Sequence, residues 1–188
     1  MPLLTYPAID WLEGVLCADH RVFEYGMGGS TLWMAERVRS VSSVERDASY
    51  AARFPLPSNA HVTIAVCADM LLHAEAGDAY VSAIERAGGP FDVVLIDGHA
   101  RLSCVGPTHR ALTEGGLIFF DNSDKPSYAP ALEQLRELGY LRIDFSGTRP
   151  LGSLLGCTSV LSRDIAAWLR RASPPPYWGR SISELAWH

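Results

Sequence analysis

From Val22 to Arg163 the chain repeats one rhythm: a short apolar run rich in β-branched and aromatic residues, then a stretch with apolar residues at helical spacing. Parallel neighbours in a sheet need a crossover, usually a helix, so this alternation confines the chain to an α/β domain with a largely parallel sheet. The expected strands are Arg21 to Tyr25, Val41 to Glu45, His61 to Val66, Phe91 to Asp97, Gly116 to Asp121, Leu141 to Phe145 and Cys157 to Ser162. The spacing predicts helices near Ser30 to Arg39, Ala48 to Arg53, Ala79 to Ala87, Leu102 to Leu112 and Ala129 to Leu138. Between the sixth and seventh strands, "SGTRPLGSLLG" has no helical period, so that pair reads as an antiparallel edge hairpin with a long loop.

An amphipathic helix is expected ahead of the first strand, in "YPAIDWLEGVL", where Pro7 suits a first turn and Ile9, Leu12 and Leu16 share a face. After the last strand, "RDIAAWLRR" reads as helical. Residues 1–172 are read as a single domain and 173–188 as a tail rich in Pro and Trp. The sequence leaves that tail open between wrapping the body, staying loose and pairing with a second subunit in a homodimer.

A net charge of -5 gives no basic footprint, which argues against a nucleic-acid partner. Four cysteines, Cys17, Cys67, Cys104 and Cys157, form no C-x-x-C pair, and no charged segment leads into an apolar run at the start. The expectation is a reduced, cytoplasmic protein. The apolar runs are strand-sized and short of the roughly 18 residues a membrane helix needs, so no membrane span is expected.

The most informative turn is "VFEYGMGGST", Val22 to Thr31, at the end of the first expected strand. A glycine-rich turn between strand and helix usually receives an anion, and Glu24 works against that. A triphosphate site needs G-x-x-x-x-G-K-[ST], and no lysine follows. A dinucleotide fingerprint needs a third glycine where Thr31 stands, and Glu24 would face a pyrophosphate. S-adenosylmethionine presents an ammonium beside a sulfonium, for which a carboxylate is an attractive partner. On that reading Gly26 and Gly28 let the backbone approach the ligand, and Ser30 or Thr31 caps the next helix and offers a donor to the ligand carboxylate. Glu45 closes the next strand 17 residues after Gly28, where an acid can accept from both ribose hydroxyls. Asp69 follows the third strand and is placed for the adenine amine or, equally, for a helix cap.

In order and spacing, "FEYGMGGST", "VERD", "CADM", "FDVVLIDG" and "ALTEGGLIFFDN" resemble the class I S-adenosylmethionine-dependent methyltransferases over about residues 21–163. The resemblance implies a doubly wound, Rossmann-like sheet of seven strands in the order 3-2-1-4-5-7-6, with the seventh antiparallel. It implies cofactor contacts at Glu24 (methionine amine), Gly26, Gly28, Glu45 (ribose) and Asp69 (adenine). The "GG" before Ser30 departs from the commonest G-x-G-x-G form and leaves Gly29 without an assigned role.

Ligands in such sheets lie over the carboxyl ends of the strands at the topological switch point. The acceptor should therefore meet Asp97 and His99 after the fourth strand, and Asp121 and Asn122 after the fifth. His99 is the candidate base, with Asp97 as a second catalytic candidate that also borders the cofactor; the alternative for His99 is a loop cap packed on Arg101. Asp97, Asp121 and Asn122 also resemble the Mg²⁺ site of catechol-type O-methyltransferases, although Ala100 stands where those enzymes carry a lysine. Tyr128 and Arg149, on loops opening at the same edge, are acceptor-contact candidates, Arg149 for an anionic one.

The expected activity is methyl transfer to a small-molecule acceptor, with oxygen favoured over nitrogen as the methylated atom. Two other classes stay open: a nicotinamide-dinucleotide oxidoreductase, and a non-catalytic S-adenosylmethionine-binding protein.

Overall fold

The structure, a computed structural model, describes residues 1–67 and 78–171. Seven strands form one sheet: β1 (Arg21–Tyr25), β2 (Ser40–Glu45), β3 (Ala60–Ile64), β4 (Phe91–Ile96), β5 (Leu112–Asp121), β6 (Leu141–Arg149) and β7 (Gly152–Ser162). Their order is β3-β2-β1-β4-β5-β7-β6, as expected. β1 to β5 pair in parallel, and β7 runs antiparallel to both β5 and β6. Helices α1 (Tyr6–Val15), α2 (Gly29–Ala35), α3 (Ala48–Ala51), α4 (Ala83–Arg86), α5 (Arg101–Ala111), α6 (Ala129–Glu137) and α7 (Ile165–Arg171) cover the faces.

The strands are read by their period of two. On β4 and β5, Val93, Leu95, Leu117 and Phe119 face one core with α1, α2 and α7. Val94, Ile96, Ile118 and Phe120 face the other, with α4, α5 and α6. On β1, Phe23 and Tyr25 join the second core and Val22 the first, so Glu24 must point towards the α2 side.

Two expectations about elements need correction. The stretch read as a long loop between the last two strands is itself strand, paired up to Arg149 with Gly152 around Pro150 and Leu151, with a shift of register between Gly147 and Arg149. Its polar and glycine-rich composition hides a strand because β6 is an edge with an exposed face, where apolar alternation is not required. The helix expected from Ala79 is a turn followed by the single helical turn of α4, with the Asp78 carboxylate accepting from the N–H groups of Tyr80 and Val81. Asp69 and the 173–188 tail lie outside the described residues. Among the described residues no helix is long and apolar enough to cross a membrane, and the four cysteines are free thiols.

At the switch point the loops after β1 and β4 touch backbone to backbone. Gly26 has φ 86°, and a Cβ on it would stand 2.9 Å from the Gly98 Cα. A Cβ on Gly98 would lie 2.8 Å from the Gly26 nitrogen and overlap the Tyr80 hydroxyl. Neither neighbour can yield, since one is backbone and the other a fully buried ring. Gly26→Ala and Gly98→Ala should each cost about 1 to 3 kcal/mol of stability, the range for overpacking a rigid site. Urea unfolding checks this, and a loss below a few tenths of a kcal/mol would show that the two loops can part.

Candidate functional site

A cleft of about 330 Å³ opens over the carboxyl ends of β1, β2 and β4. Gly26, Met27, Gly28 and Ser30 form one wall, Glu45, Asp47 and Tyr50 the second, and Asp97, Gly98 and His99 the third, with Leu3 along the rim. The volume is within the ordinary range for a small-molecule site.

Three N–H groups of the turn are already used within the chain. Gly26 N donates to the Val44 carbonyl at 2.9 Å, Met27 N to Glu45 Oε2 at 3.3 Å, and Gly28 N to Thr31 Oγ1 at 3.0 Å. A phosphate nest needs such donors free and convergent. This turn offers the cleft three donors fewer and an acidic neighbour instead.

Glu24 is where the structure departs most from its expected role. The side chain is fully buried and does not line the cleft. Its carboxyl accepts from the hydroxyls of Ser30, Thr31 and Ser43, the last at 3.0 Å, and so ties α2 and β2 to β1 beneath the turn. Burial raises its pKa to about 7; the hydroxyl bonds pull it back down and the Glu45 charge adds to the rise. Glu24 therefore acts through Ser30. The Ser30 hydroxyl spends its proton on Glu24, so towards the cleft it can present lone pairs only. That makes it an acceptor for an ammonium, where a donor to a carboxylate was expected. Thr31 is buried, receives Gly28 N and donates to Glu24, so it shapes the turn from within.

Glu45 stands at the end of β2 with Oε1 accepting from Arg46 N at 2.8 Å and Asp47 N at 2.9 Å. Its Oε2 receives Met27 N alone, at the longer distance, and retains acceptor capacity towards the cleft it lines. Tyr50 was not singled out from the sequence. Asp47 caps α3 by accepting from Ser49 N and Tyr50 N, which turns the helix back to the cleft; the Asp-x-Ser-Tyr spacing was the available signal.

Asp97 and Asp121 come together as expected, their carboxyls in hydrogen-bonding contact. Asp97 edges the cleft with 26% of its side chain exposed, while protein packed around the rest raises its pKa, burial first and the Asp121 charge second. The metal reading of Asp97, Asp121 and Asn122 gains no support from what these groups hold. Arg101 pairs with Asp97 at 2.9 Å, Arg149 reaches Asp121 Oδ2 at 3.4 Å, Thr158 donates to Asp121 Oδ1 at 2.7 Å, and the Asn122 amide oxygen accepts from Lys125. Two guanidinium groups supply the positive charge that a divalent ion would bring. Among the described residues no set of three or more His, Cys, Asp or Glu side chains is arranged to hold a metal.

Arg101 also donates to the carbonyls of Asp97 (2.8 Å), Gly98 (2.9 Å) and Asp121, clamping the ends of β4 and β5. His99 lines the cleft half-buried, its N–H donating to the Tyr80 hydroxyl at 3.2 Å. Burial first, then the Arg46 charge, lowers its pKa below the ordinary histidine value, so the ring is neutral near pH 7. Tyr128 is a core residue: it stacks edge-on against Phe120 beneath Arg101 and contacts no cleft.

No family model and no curated protein sequence matches the chain. Solved structures do. Precorrin 8w decarboxylase from Methanobacterium thermoautotrophicum is 20% identical over 82% of this chain and 86% of its own, with a TM-score of 0.56. A Streptococcus mutans protein described as a methyltransferase, solved with S-adenosylhomocysteine, is 10% identical over 83% and 96%, with a TM-score of 0.59. An rRNA methylase from Streptococcus thermophilus is 12% identical over 84% and 94%, with a TM-score of 0.60. The chain has the fold of the class I S-adenosylmethionine-dependent methyltransferases.

The raised pKa of Glu24 has a signed consequence for stability. The folded state holds its proton up to about pH 7, while the unfolded chain releases it near 4.5. The associated stability is whole below 4.5 and is lost as pH rises to about 7. Glu24→Gln carries no such proton, so wild type should lose stability relative to this variant between pH 4.5 and 7. Thermal midpoints across that range measure it; a difference that grows in favour of wild type would mean that the ionised carboxylate is the favoured form.

Proposed function

We propose that the chain is an S-adenosylmethionine-dependent methyltransferase acting on a small-molecule acceptor, with oxygen favoured over nitrogen as the methylated atom. The observation that carries this reading is the turn itself. Three of its N–H donors, those of Gly26, Met27 and Gly28, are consumed internally and the Ser30 hydroxyl turns an acceptor to the cleft, which suits a ligand bringing an ammonium better than one bringing a pyrophosphate. A nicotinamide dinucleotide is the poorer guest on that ground. The methyltransferase fold, including a relative solved with S-adenosylhomocysteine, supports the same reading. One relative acts on rRNA, yet the net charge of -5 supports a small acceptor here.

In this reading Glu45 receives the ribose hydroxyls, Ser30 and the exposed edge of Asp97 face the amino group, and Gly26 and Gly28 admit the ligand against the backbone. The cofactor, when bound, supplies a methyl on an already activated sulfonium. The protein then has to hold the acceptor in line and remove its proton where the acceptor needs it. His99, neutral and held through its own backbone by Tyr80, accepts that proton at an imidazole nitrogen. Asp97, its charge tempered by Asp121 and fixed by Arg101, orients the acceptor from the side of β4.

Two measurements check the assignments. Glu45→Ala should weaken S-adenosylhomocysteine binding by about 1.5 to 3 kcal/mol, roughly 10- to 100-fold, because hydrogen bonds to a charged acceptor are lost; calorimetry showing unchanged affinity, or tight NAD(H) binding in its place, would defeat the reading. His99→Ala should slow turnover while sparing cofactor affinity. The wild-type acid limb of kcat/KM should lie below the ordinary histidine value and vanish in that variant, and an unmoved limb would place the base elsewhere.

A further inference from the structure

We propose that the groove between the β6–β7 hairpin and the end of β5 holds the acceptor, and that it selects a molecule with a carboxylate or phosphate on an apolar body. The inference rests on the methyltransferase reading and names the substrate class of that site. The groove encloses about 450 Å³ and is separate from the cofactor cleft. Its lining divides into two parts: Arg149, Lys125 and the Asn122 amide on one side, and Leu151, Leu154 and Leu155 on the other.

The polar side is built and under-used. Arg149 lies over β7 at Gly156, where any Cβ would overlap its guanidinium, so the glycine makes room for it there. Its ionic contact is a single one at 3.4 Å to Asp121, and five N–H donors in a planar fork are suited to more. Lys125 Nζ has the Asn122 amide oxygen at 3.2 Å. The acidic group on this wall, Asp124, is turned to Cys157 N at 3.3 Å. Two cationic heads thus border one small space, and a carboxylate or phosphate complements them.

The apolar side is just as unusual. Leu151, at the hairpin tip, and Leu154 and Leu155, near the start of β7, are 100%, 80% and 78% exposed. Leu151 also takes φ 61°, a region leucine seldom visits, which sets its side chain out from the hairpin tip. Scattered exposed leucines need no explanation, but three beside a cationic corner form an amphipathic surface with an obvious complement. The groove adjoins the site through side chains: Arg149 reaches Asp121, which neighbours Asp97 at the edge of the cofactor cleft.

The test uses decanoate, decyl phosphate and decanol as probes, titrated into the full chain with and without S-adenosylhomocysteine. At least one anion should bind about tenfold or more tighter than decanol, and which of them does so separates carboxylate from phosphate. Arg149→Gln should remove most of that advantage and Arg149→Lys restore part of it. Leu154→Ser combined with Leu155→Ser, at exposed positions that leave the fold intact, should weaken the anion about tenfold or more and leave S-adenosylhomocysteine affinity unchanged. Decanol binding as tightly as the anions, or anion affinity indifferent to both sets of variants, would overturn the proposal. So would a dimer in sedimentation that the serine variants dissolve while no probe binds, which would assign the leucines to a second copy. Failure of S-adenosylhomocysteine to bind would sink the methyltransferase reading alone, because probe binding to the groove is read without it.

Discussion

A carboxyl buried beneath a glycine turn organises this site. Glu24 sits on β1 inside the sheet, on the face away from Tyr25, and gathers hydroxyls from the first turn of α2 and from β2. Removing such a group from water is costly unless its lone pairs are filled, and three hydroxyl donors fill them. The filling has directional consequences. Each hydroxyl has one proton, and giving it to Glu24 fixes what remains for the cleft or the turn: an acceptor at Ser30, and at Thr31 an acceptor for Gly28 N. The turn is thereby held open by internal bonds, with its polarity towards the ligand inverted from that of a phosphate loop.

The second organiser is positive. Arg101 rises from the first turn of α5 and gathers carbonyls from the ends of β4 and β5 together with the Asp97 carboxylate. Two adjacent carboxyls at the end of a sheet repel when both are ionised, and two solutions are available: a metal ion between them or cationic side chains around them. This chain takes the second, with Arg101 on Asp97 and Arg149 on Asp121. A guanidinium is fixed in its fork geometry and cannot be exchanged with solvent, so the Asp97 edge facing the cleft is held in one orientation without recourse to an ion.

The fold was legible because the cores are periodic. Val93, Leu95, Val94 and Ile96 announce a strand buried on both faces, and the order of strands is the one implied by the family resemblance that the motifs carry. The β6–β7 pair reads as an antiparallel hairpin from sequence, but its strand ends near the tip read as loop because edge strands owe their pairing to backbone bonds, and glycine, threonine and serine supply those as well as valine does. At the site, which residues converge was readable: Gly26, Gly28, Ser30, Glu45, Asp97 and His99 do line one cleft. The direction in which each side chain spends its hydrogen bonds was not. Glu24 could be placed on β1 from sequence, but whether it looks up at a ligand or down at Ser43 depends on the strand's phase relative to the turn, fixed only by pairing with β2. Likewise Asp97, Asp121 and Asn122 have the composition of a metal site, and the sequence does not show that Arg101 and Arg149, 4 and 28 residues away in the chain, bring guanidinium groups to the two aspartates.

These two organisers divide the upper edge of the sheet by charge. Over β1 and β2 the cleft is lined by Glu45 and Asp47 with Arg46 between them, so two carboxylates outnumber one guanidinium on the side of the ligand's positive charge. Beyond β5 the wall is Arg149 and Lys125 beside exposed leucines, an environment that stabilises the opposite sign. The Asp97 and Asp121 pair lies on the boundary and is bonded to both sides. A reaction that joins a cationic donor to an anionic acceptor gains from this arrangement twice: each partner is drawn to its own half, and the field between the halves points along the line on which they must meet. The same argument explains why the boundary is built from paired carboxyls and guanidinium groups. A lone charge there would bias both halves towards one sign and erase the distinction that keeps the two ligands apart.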